Sequence, residues 1–444
     1  MIRERIKTLN NKKINDKKGY YVYWMQSSQR VEFNLALNYT IKLANKNNSD
    51  LIVAFVLTEF PHANLRHYEF MIQGLKEVKE KLKNMNIRFV LLKGDPVETI
   101  ITLCNKSNLL VTDRGYLKNL IKWREDISKR IEIPMIQVED NVLIPVELVS
   151  DKEEYSAATF RRKYNKILSD FNEKILDYEY KGKYIEDDFN EIDINNYLYF
   201  LEIDKSVKTV NFEGGHDEGI KILEDFLVNK LEKYSEKRND PSCDYQSNIS
   251  PYLHFGMISP LEIYELLKDY SDEKRKDFFE QVFVRRELAR NFCFYNKNYD
   301  NFNCITGWAR ETLKKHEKDK RKYVYSYEEL EMAKTHDEYW NAAQMEMIKT
   351  GKMHGYMRMY WAKKVIEWTQ SVETAYKYLV ELNNKYELDG RDENGYTGIA
   401  WSFGKHDRPW KEREIFGKVR YMNSNGLKRK FDIDKYVQKI NKLE

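Results

Sequence analysis

Short apolar runs alternate with longer amphipathic stretches over the first 140 residues of the chain. The run LIVAFVL at 51–57 is apolar at every position, which is typical of a parallel strand covered on both faces. Strands are predicted at 20–25, 51–57, 87–92, 109–112 and 133–138, and helices at 33–45, 65–83 and 97–105. Because strands and helices alternate, this half is predicted to form a Rossmann-like α/β domain with a doubly wound parallel sheet.

The pattern changes in the second half of the chain, where strand-like runs give way to helical periodicity. Helices are predicted at 220–234, 260–268, 277–291, 339–349, 355–369 and 372–386. The segment between the halves is highly charged and weakly periodic, as expected for an interdomain connection with some helix. We therefore predict an N-terminal tail (1–19), an α/β domain (20–145), a linker (146–219) and an all-α domain (220–444).

Composition excludes several classes of protein. Hydrophobic residues make up 42% of the 444 positions and charged residues 33%, which is ordinary for a globular protein. The longest apolar run, 51–57, is too short to span a bilayer, and residues 1–19 lack the apolar stretch of a secretory signal. The four cysteines lack paired metal-ligand spacing, so a disulfide scaffold or zinc ribbon is not supported. A cytoplasmic protein without membrane contact is expected.

Charge and aromatic content point to a polyanionic or planar ligand. The net charge is only 75 − 71 = +4, but residues 405–435 alone carry a local charge of +5. A local basic surface suits a polyanion, although a solvated face is the alternative. Aromatic residues reach 14% and gather after residue 245. They suit stacking on bases or on a planar ligand, with an aromatic core as the alternative.

Nucleotide-binding signatures are weak. The first strand is followed by MQSSQR rather than GxGxxG, and no GxxxxGK[ST] loop occurs. Ser250 followed by Pro251 predicts a helix start with Ser250 as the N-cap, where free N–H groups suit a phosphate. Ser247 would add a hydroxyl donor, but a plain capped helix explains the same residues.

Three tryptophans and three polar residues of the helical half are candidates for redox chemistry. Trp361 and Trp368 are seven positions apart and share one helix face, and Trp340 lies on the preceding helix. Such indoles could pass an electron by short hops, or they could simply pack in the core. The charged or polar residues within otherwise packable helical sequence are Arg358, Asp389 and Asn383. If Arg358 and Asp389 are buried they should pair, because an unpaired buried charge is very costly.

Five motifs then resemble one family. VRRELARNF (284–292), MHGYMRMYWAKKVIEW (353–368), YELDGRDENGY (386–396) and HDRPWKEREIFGKVRYMN (406–423) resemble the class II cyclobutane pyrimidine dimer DNA photolyases. SPYLHFG (250–256) fits the wider photolyase/cryptochrome superfamily. The resemblance implies a helical domain that holds FAD in a folded conformation and a light-driven reversal of thymine dimers in UV-damaged DNA. It also implies electron transfer from reduced FAD to a flipped-out dimer.

The same resemblance assigns roles around the cofactor. Arg358 and Asp389 look like the ion pair beside the isoalloxazine, and Asn383 looks like the asparagine that faces its reactive nitrogen. The residues that look like the diphosphate and adenosine side of the pocket are Tyr234, Ser247, Asn248, Ile249 and Ser250. The residues that look like the photoreduction chain are Trp361 nearest the flavin, Trp340, Trp368 outermost and Tyr325 in an assisting role.

The resemblance also assigns the DNA side of the site. Met359 and Trp401 look like lesion-pocket residues, and Arg420 resembles the arginine that fills the gap left in the duplex. Phosphate contacts are expected from Lys428, Arg429 and Lys430. Two positions depart from the family: Gln281 stands where a glutamate is common, with Glu280 just before it, and Arg285 stands where some relatives place tryptophan. Either repair is less efficient here, or the register is off by one.

Alternatives on the same fold remain open at this point. A cryptochrome-type flavin photoreceptor and a (6-4) photoproduct photolyase are two. The latter usually needs histidines near the lesion, and nothing in the sequence marks His254 and His354, which fall within motifs, as such a pair. A helical nucleic-acid-binding protein without redox chemistry is a third. The resemblance makes an antenna chromophore in the α/β domain plausible, with 8-hydroxy-5-deazaflavin as the first choice and a folate or no antenna as alternatives. We expect a monomer without an obligate protein partner, associated with the nucleoid through DNA.

Overall fold

A six-stranded sheet organises the first part of the fold, in a computed structural model that describes residues 3–14, 19–171 and 177–443. The strands are β1 (Ile6–Thr8), β2 (Tyr20–Trp24), β3 (Leu51–Leu57), β4 (Arg88–Lys93), β5 (Ser107–Asp113) and β6 (Met135–Val138). Their order is β1-β6-β5-β2-β3-β4, and all neighbours run parallel except β1, which pairs antiparallel with β6. The predicted parallel sheet is confirmed, with an antiparallel edge strand added.

Helices cover both faces of this sheet. They are α1 (Leu35–Asn47), α2 (Leu65–Asn84), α3 (Pro96–Cys104) and α4 (Lys118–Arg130). Along β2, Tyr21 and Tyr23 share a core with α1 and α2, whereas Val22 and Trp24 share one with α3 and α4. Alternate side chains therefore enter opposite cores. This double burial explains why every residue of β3 and β5 is buried and why β3 is apolar at every position, whereas β5 is apolar only at its centre, 109–111.

Two elements of this half were not predicted. The segment Ile6–Thr8 falls in the stretch assigned to the tail, yet Ile6 pairs with Val138 at the sheet edge. Helix α4 was missed because only Arg124 and Ile127 are buried among its residues, so its hydrophobic stripe is faint. Both elements depend on contacts with distant residues rather than on a strong local pattern.

After β6 the described part of the chain consists of helices joined by loops, with no further named strand. Its helices are α5 (Val146–Val149), α6 (Ala157–Ile167), α7 (His216–Asn229), α8 (Leu231–Lys237), α9 (Ser250–His254), α10 (Pro260–Leu267), α11 (Asp272–Phe279), α12 (Arg286–Tyr295), α13 (Gly307–Lys315), α14 (Tyr327–Glu331), α15 (Glu338–Thr350), α16 (Gly355–Trp368), α17 (Val372–Tyr386), α18 (Glu393–Ser402), α19 (Ser424–Lys430) and α20 (Ile433–Asn441). Short 3₁₀ helices occur at Arg3–Arg5, Leu168–Phe171, Ile194–Phe200 and Phe302–Cys304. In the described part of the chain, no helix combines the length and apolar character needed to cross a bilayer.

The predicted helix at 277–291 is divided. Helix α11 ends at Phe279, residues Glu280–Arg285 form a π-helical segment, and α12 follows directly. A π-helical insertion is rare and often lies at a functional site, because it re-aims the side chains that follow it. Hydrophobic periodicity does not reveal it, since the chain remains helical on both sides.

The capping residues of the helical half set the ends of the elements that matter below. Asp337 caps α15 and Ser371 caps α17 through side-chain hydrogen bonds to backbone N–H groups.

The prediction that Ser250 is a helix N-cap was wrong. Ser250 is the first residue of α9, Ile249 occupies the N-cap position, and no side chain caps the helix. Asn248 has a φ of +58°, and this sharp turn lets the helix begin one residue earlier.

Candidate active site and DNA-binding cavity

A cavity of about 690 Å³ opens between α8, the π-helical segment, α16, α18 and the loop before α19. This volume is in the usual range for ligand sites. Six predicted site residues line it: Tyr234, Gln281, Arg285, Met359, Trp401 and Arg420. These residues are up to 186 positions apart in the chain (420 − 234), and the fold brings them to one cavity.

The cavity wall is basic. Arg238, Arg285, Lys363 and Arg420 line it, and Asp407 is the carboxylate-bearing residue among the described lining residues. The wall therefore carries more positive than negative groups and attracts an anionic ligand. Neither His254 nor His354 lines this cavity; His406 does, and burial lowers its pKa to about 4.

One side of the cavity is formed by the π-helical segment. Gln281 faces the cavity, whereas Glu280 is turned to an ion pair with Arg161 at 2.6 Å. The guanidinium of Arg285 lies 4.8 Å from the centre of the Trp401 ring, in cation–π geometry. The structure thus separates the two neighbouring residues that the sequence left ambiguous.

Lys363 is a cavity residue that sequence reasoning missed. Its side chain is 3% exposed, and its ammonium donates a hydrogen bond to the carbonyl oxygen of Ser402. The pKa of Lys363 is lowered to about 7, chiefly by burial; Asp407 opposes this shift and Arg420 adds to it. The signal in the sequence was a lysine pair, Lys363-Lys364, within a helix that is otherwise rich in buried residues.

We expect this lysine to make stability depend on pH. The unfolded chain, with an ordinary lysine pKa, binds more protons than the folded chain between about pH 7 and pH 10, so the free energy of unfolding rises with pH there. The slope contributed by Lys363 is at most about 1.4 kcal/mol per pH unit. Urea unfolding of wild type and Lys363→Met across this range measures it.

The difference between those two proteins isolates Lys363 from other titrating groups. Lys364→Met is the matched control, because Lys364 is also buried but pairs with Glu367 at 2.8 Å. Parallel curves for wild type and Lys363→Met would show that the lysine does not titrate in this window.

Behind the cavity, Arg358 belongs to a buried charge cluster. Its guanidinium lies 3.0 Å from Glu387 and 3.8 Å from Asp389. The predicted partner Asp389 is present, but the closer partner is Glu387, which is fully buried and was missed. Burial alone would lower the pKa of Arg358, but Glu387 and Asp389 outweigh it and raise that pKa. Burial raises the pKa of Glu387 to about 8.

This cluster contains polar atoms without hydrogen-bond partners. Within the described ranges these buried atoms are Nε of Arg358, Oε2 of Glu387 and Oδ1 of Asp389. Buried polar groups are normally satisfied, so three such atoms in one cluster fit the polar edge of a ligand. Nearby, Gly355 and Gly398 line the cavity, and a Cβ on either would meet nothing within 4 Å. Open space beside backbone of this kind admits a planar group.

Asn383 lies one layer behind this wall. It is 2% exposed, and its amide donates to Oδ1 of Asn384 at 3.3 Å. A Cβ on Gly395 would come within 3.0 Å of the Asn383 amide nitrogen, so glycine allows the asparagine to sit tightly against α18. Asn383 does not itself line the cavity.

The segment 247–250 lies beside the cavity rather than in its wall. Ile249 is 2% exposed in the hydrophobic core, and Oδ1 of Asn248 accepts a hydrogen bond from Lys352 at 3.0 Å. The preceding residue, Gln246, does line the cavity, as does Tyr234 from α8. Lys352 and Gln246 are thus two further polar residues that sequence reasoning missed.

The predicted redox residues form a connected row. Trp361 donates its indole N–H to Gln344 at 2.8 Å, and Trp340 donates to the backbone oxygen of Trp361 at 3.0 Å. The ring centres of Trp340 and Trp368 are 5.7 Å apart, and those of Trp368 and Tyr325 are 5.3 Å apart. The three indoles are at most 1% exposed, whereas Tyr325 is half-buried. The row leads from the interior to the surface.

The basic residues expected to contact phosphate are exposed. Lys428, Arg429 and Lys430 lie on α19 outside the cavity, and Lys430 lies 4.4 Å from the ring centre of Tyr356, a cavity residue. Arg420 is exposed at the cavity mouth and packs over Trp410 at 5.3 Å. The arrangement places positive charge around the entrance.

A second, smaller cavity of about 150 Å³ lies against the sheet. Aromatic and apolar side chains dominate its wall, among them Trp24, Phe55 and Trp123. Gln26 and Gln29 also line it, and each has a buried polar atom without a hydrogen-bond partner in the described part of the chain. Its volume is about half the lower end of the range for ligand sites, so a planar chromophore would extend beyond it.

Comparison with known proteins agrees with these features. The family model for DNA photolyase matches residues 21–179. A deoxyribodipyrimidine photo-lyase of Methanothermobacter thermautotrophicus is 46% identical over 99% of this chain and 98% of its own length.

Two crystal structures share the fold. A class III photolyase of Agrobacterium tumefaciens has a TM-score of 0.76 at 16% identity, covering 96% of this chain and 87% of its own. An archaeal photolyase of Sulfolobus tokodaii with two FAD molecules has a TM-score of 0.72 at 18% identity, covering 94% and 89%. The chain belongs to the DNA photolyase family.

Proposed function

We propose that this protein is a class II deoxyribodipyrimidine photo-lyase that repairs cyclobutane pyrimidine dimers in UV-damaged DNA with light. The observation that carries the proposal is the basic 690 Å³ cavity, which gathers the predicted lesion residues beside the buried Arg358 cluster. The relative from Methanothermobacter, similar over almost the whole chain, supports the reaction. The class II motifs at 284–292 and 353–368 support the subtype.

The residues present fit FAD, the cofactor of the family. The orphaned atoms of Arg358, Glu387 and Asp389 offer both donors and acceptors to polar ring edges, and Gly355 and Gly398 leave room for a flat ring. Tyr234, Gln246 and the segment 247–250 are proposed to hold the diphosphate and adenosine side. When bound and reduced, FAD absorbs blue or near-UV light and supplies the electron that opens the cyclobutane ring.

The protein's own side chains prepare the lesion for this chemistry. Trp401 and Met359 present apolar surface to the flipped-out dimer and exclude water from it. The Gln281 amide is proposed to donate a hydrogen bond to a dimer carbonyl, although it holds no acidic proton to transfer. Arg420 is proposed to enter the gap in the duplex, and Lys428, Arg429 and Lys430 to contact phosphates. A damaged pair costs less to flip out than an intact one, which favours the lesion.

We propose that Trp361, Trp340 and Trp368 return oxidised flavin to its active state, with Tyr325 at the surface end. The order is supported by the contacts: Trp340 bonds to the backbone of Trp361, and Trp368 touches both Trp340 and Tyr325. Asn383 is proposed to steady the flavin from behind Gly395.

The direct experiment is a repair assay. Purified protein with reduced flavin is mixed with a thymine-dimer oligonucleotide and divided between blue light and darkness. We expect the dimer to disappear only in the light. A yellow protein that photoreduces normally but repairs nothing would contradict the proposal and favour a cryptochrome-type photoreceptor. An oligonucleotide with a (6-4) photoproduct in a parallel reaction tests the second alternative.

The smaller cavity is proposed as an antenna site. Its aromatic wall and the unsatisfied atoms of Gln26 and Gln29 suit a planar chromophore with a polar edge, such as 8-hydroxy-5-deazaflavin or a folate. The Sulfolobus relative, which carries a second FAD, supports the presence of a second chromophore on this fold. Extraction of the purified protein and mass spectrometry of the released pigments identifies it.

We further propose the division of labour among the domains. Residues 20–145 would carry the antenna, 220–444 would carry FAD and DNA, and 146–219 would connect them. The protein is proposed to act as a cytoplasmic monomer that associates with the nucleoid through DNA. Light scattering of the purified protein, with and without duplex, measures its oligomeric state.

A further inference from the structure

Arg285 occupies an unusual position in the lesion cavity. Its guanidinium lies over the face of Trp401, with 4.8 Å between the guanidinium carbon and the ring centre. It lines the same cavity as Gln281, four positions earlier in the π-helical segment, so the two side chains are neighbours. A permanent cation therefore sits beside the ring against which the dimer is proposed to pack.

A second arginine fixes this arrangement from another element. Arg161 of α6 donates two hydrogen bonds to Glu280, at 2.8 and 2.6 Å, and Arg285 donates its Nε–H to the same carboxylate at 2.8 Å. Burial acts to raise the pKa of Glu280, but the bonds from Arg161 and Arg285 outweigh it and lower that pKa. We call these three residues, Arg161, Glu280 and Arg285, the arginine clamp.

The clamp leaves donors of Arg285 available. Its Nε donates to Glu280, whereas no described residue accepts a hydrogen bond from the terminal nitrogens Nη1 and Nη2, and the side chain is 37% exposed at the cavity. Arg161 and Glu280 do not line the cavity, so of the three residues in the arginine clamp only Arg285 can contact a ligand there. An anchored guanidinium with four free N–H groups, next to a free glutamine amide, is built to bind carbonyl oxygens.

We propose that Arg285 recognises the lesion by donating its Nη hydrogens to the carbonyl oxygens of the flipped-out pyrimidine dimer, and that Glu280 and Arg161 are positioning residues. The inference rests on the proposed function, since it requires the dimer to enter this cavity. Hydrogen bonds to a charged donor are stronger than neutral ones. Arg285 thus supplies a charge-assisted donor at a site where Gln281 offers only a neutral one.

Dark binding measurements test the recognition step. Duplexes of one sequence, with and without a thymine dimer, are titrated against wild type, Arg285→Met and Arg285→Lys. We expect Arg285→Met to weaken binding of the dimer duplex about 10-fold, as for loss of one charge-assisted hydrogen bond, and to leave the undamaged duplex almost unchanged. Arg285→Lys keeps the charge but loses the planar fork, so an intermediate loss is expected. Arg162→Met, an exposed neighbour of Arg161, controls for net charge.

Two outcomes would overturn the recognition step. Equal weakening on both duplexes, with a smaller salt dependence, would make Arg285 an ordinary phosphate contact. Unchanged binding of the dimer duplex by both Arg285 variants would remove it from recognition altogether. If Arg285→Met fails to fold, dimer binding by Arg285→Lys alone still tests the role of Arg285, because the lysine keeps a positive charge beside the Glu280 carboxylate.

The positioning role needs its own readout. Glu280→Gln and Arg161→Met are expected to weaken dimer binding about 3-fold each, because Arg285 loses its fixed orientation but not its charge. In the Arg285→Met background neither change should weaken binding further. In repair assays the DNA concentration for half-maximal rate should rise more than the saturating rate falls. Additive losses in the double variants would show that Glu280 and Arg161 act on the fold rather than through Arg285.

These measurements separate the inference from the proposed function. Binding in the dark requires no photochemistry, so it decides the role of Arg285 even if the wild-type protein shows no light-dependent repair. Conversely, repair by wild type with unaltered binding by the Arg285 variants would reject the inference and leave the proposed function standing.

Discussion

Replacing Trp361 with phenylalanine is expected to abolish light-driven reduction of oxidised FAD while sparing repair by chemically pre-reduced protein. Phenylalanine is much harder to oxidise than tryptophan. The electron would then have to come directly from Trp340, which is proposed to lie farther from the cofactor than Trp361. An added barrier of about 2.7 kcal/mol slows a step about 100-fold, and we expect at least that loss in the photoreduction rate. Flavin absorbance during illumination measures it.

The substitution also removes an indole N–H, leaving Oε1 of the buried Gln344 without its donor. This orphan costs about 1–3 kcal/mol, so the folded state must be checked by thermal unfolding. Trp308→Phe is the matched control, because its indole nitrogen has no hydrogen-bond partner in the described ranges and it lies outside the row. Photoreduction at the wild-type rate in Trp361→Phe would exclude Trp361 from the chain. Loss of repair in the pre-reduced variant would instead assign it a structural or substrate role.

Replacing Arg358 with leucine is expected to destabilise the protein and to yield purified protein without bound flavin. The guanidinium is the nearer cation to Glu387 and Asp389, with Lys352 as a second cation beside the pair, and Glu387 is fully buried. Removing one partner of a buried ion pair typically costs about 3–5 kcal/mol, and the loss here should lie at the lower end, because burial raises the pKa of Glu387 and lets it take up a proton. Urea unfolding and the ratio of flavin to protein absorbance after purification measure the two effects.

Two variants separate charge from geometry at this site. Arg358→Lys keeps the cation and should retain part of both stability and flavin. Adding Glu387→Gln to Arg358→Leu removes a stranded carboxylate, so the double variant should be more stable than Arg358→Leu alone. Equal stability of wild type and Arg358→Leu, with full flavin content, would show that the cluster neither supports the fold nor holds the cofactor.

Much of this molecule was readable from local patterns. The strands at 51–57 and 20–25 and the long helices α2, α16 and α17 follow directly from hydrophobic periodicity, because burial on one or two faces repeats with a fixed period. The site residues were predicted largely from the motifs between 284 and 423. Four predicted residues from that stretch, Arg285, Met359, Trp401 and Arg420, line the cavity together with Tyr234 and Gln281, which precede it. Their assignment to the site depends on the resemblance and stays a prediction, since no spacing rule links Tyr234 to Arg420.

Other features had no local signature. The π-helical segment at Glu280–Arg285 looks like ordinary helix in sequence, and β1 is too short and polar to show alternation. The Ser250 cap was misplaced because the conformation of Asn248 decides where α9 begins. In each case a backbone torsion or a distant partner, rather than residue type, sets the outcome.

The sequence by itself determined the layered α/β and all-α organisation, because hydrophobic periodicity encodes it, and its motifs supplied the candidate residues of the site. Only the tertiary structure decided the partners. It paired Arg358 more closely with Glu387 than with Asp389, buried Lys363 enough to lower its pKa, and joined Arg161 to Glu280 across 119 positions. Ion pairing and desolvation depend on distances of a few ångströms between segments remote in the chain, and no local pattern records those distances.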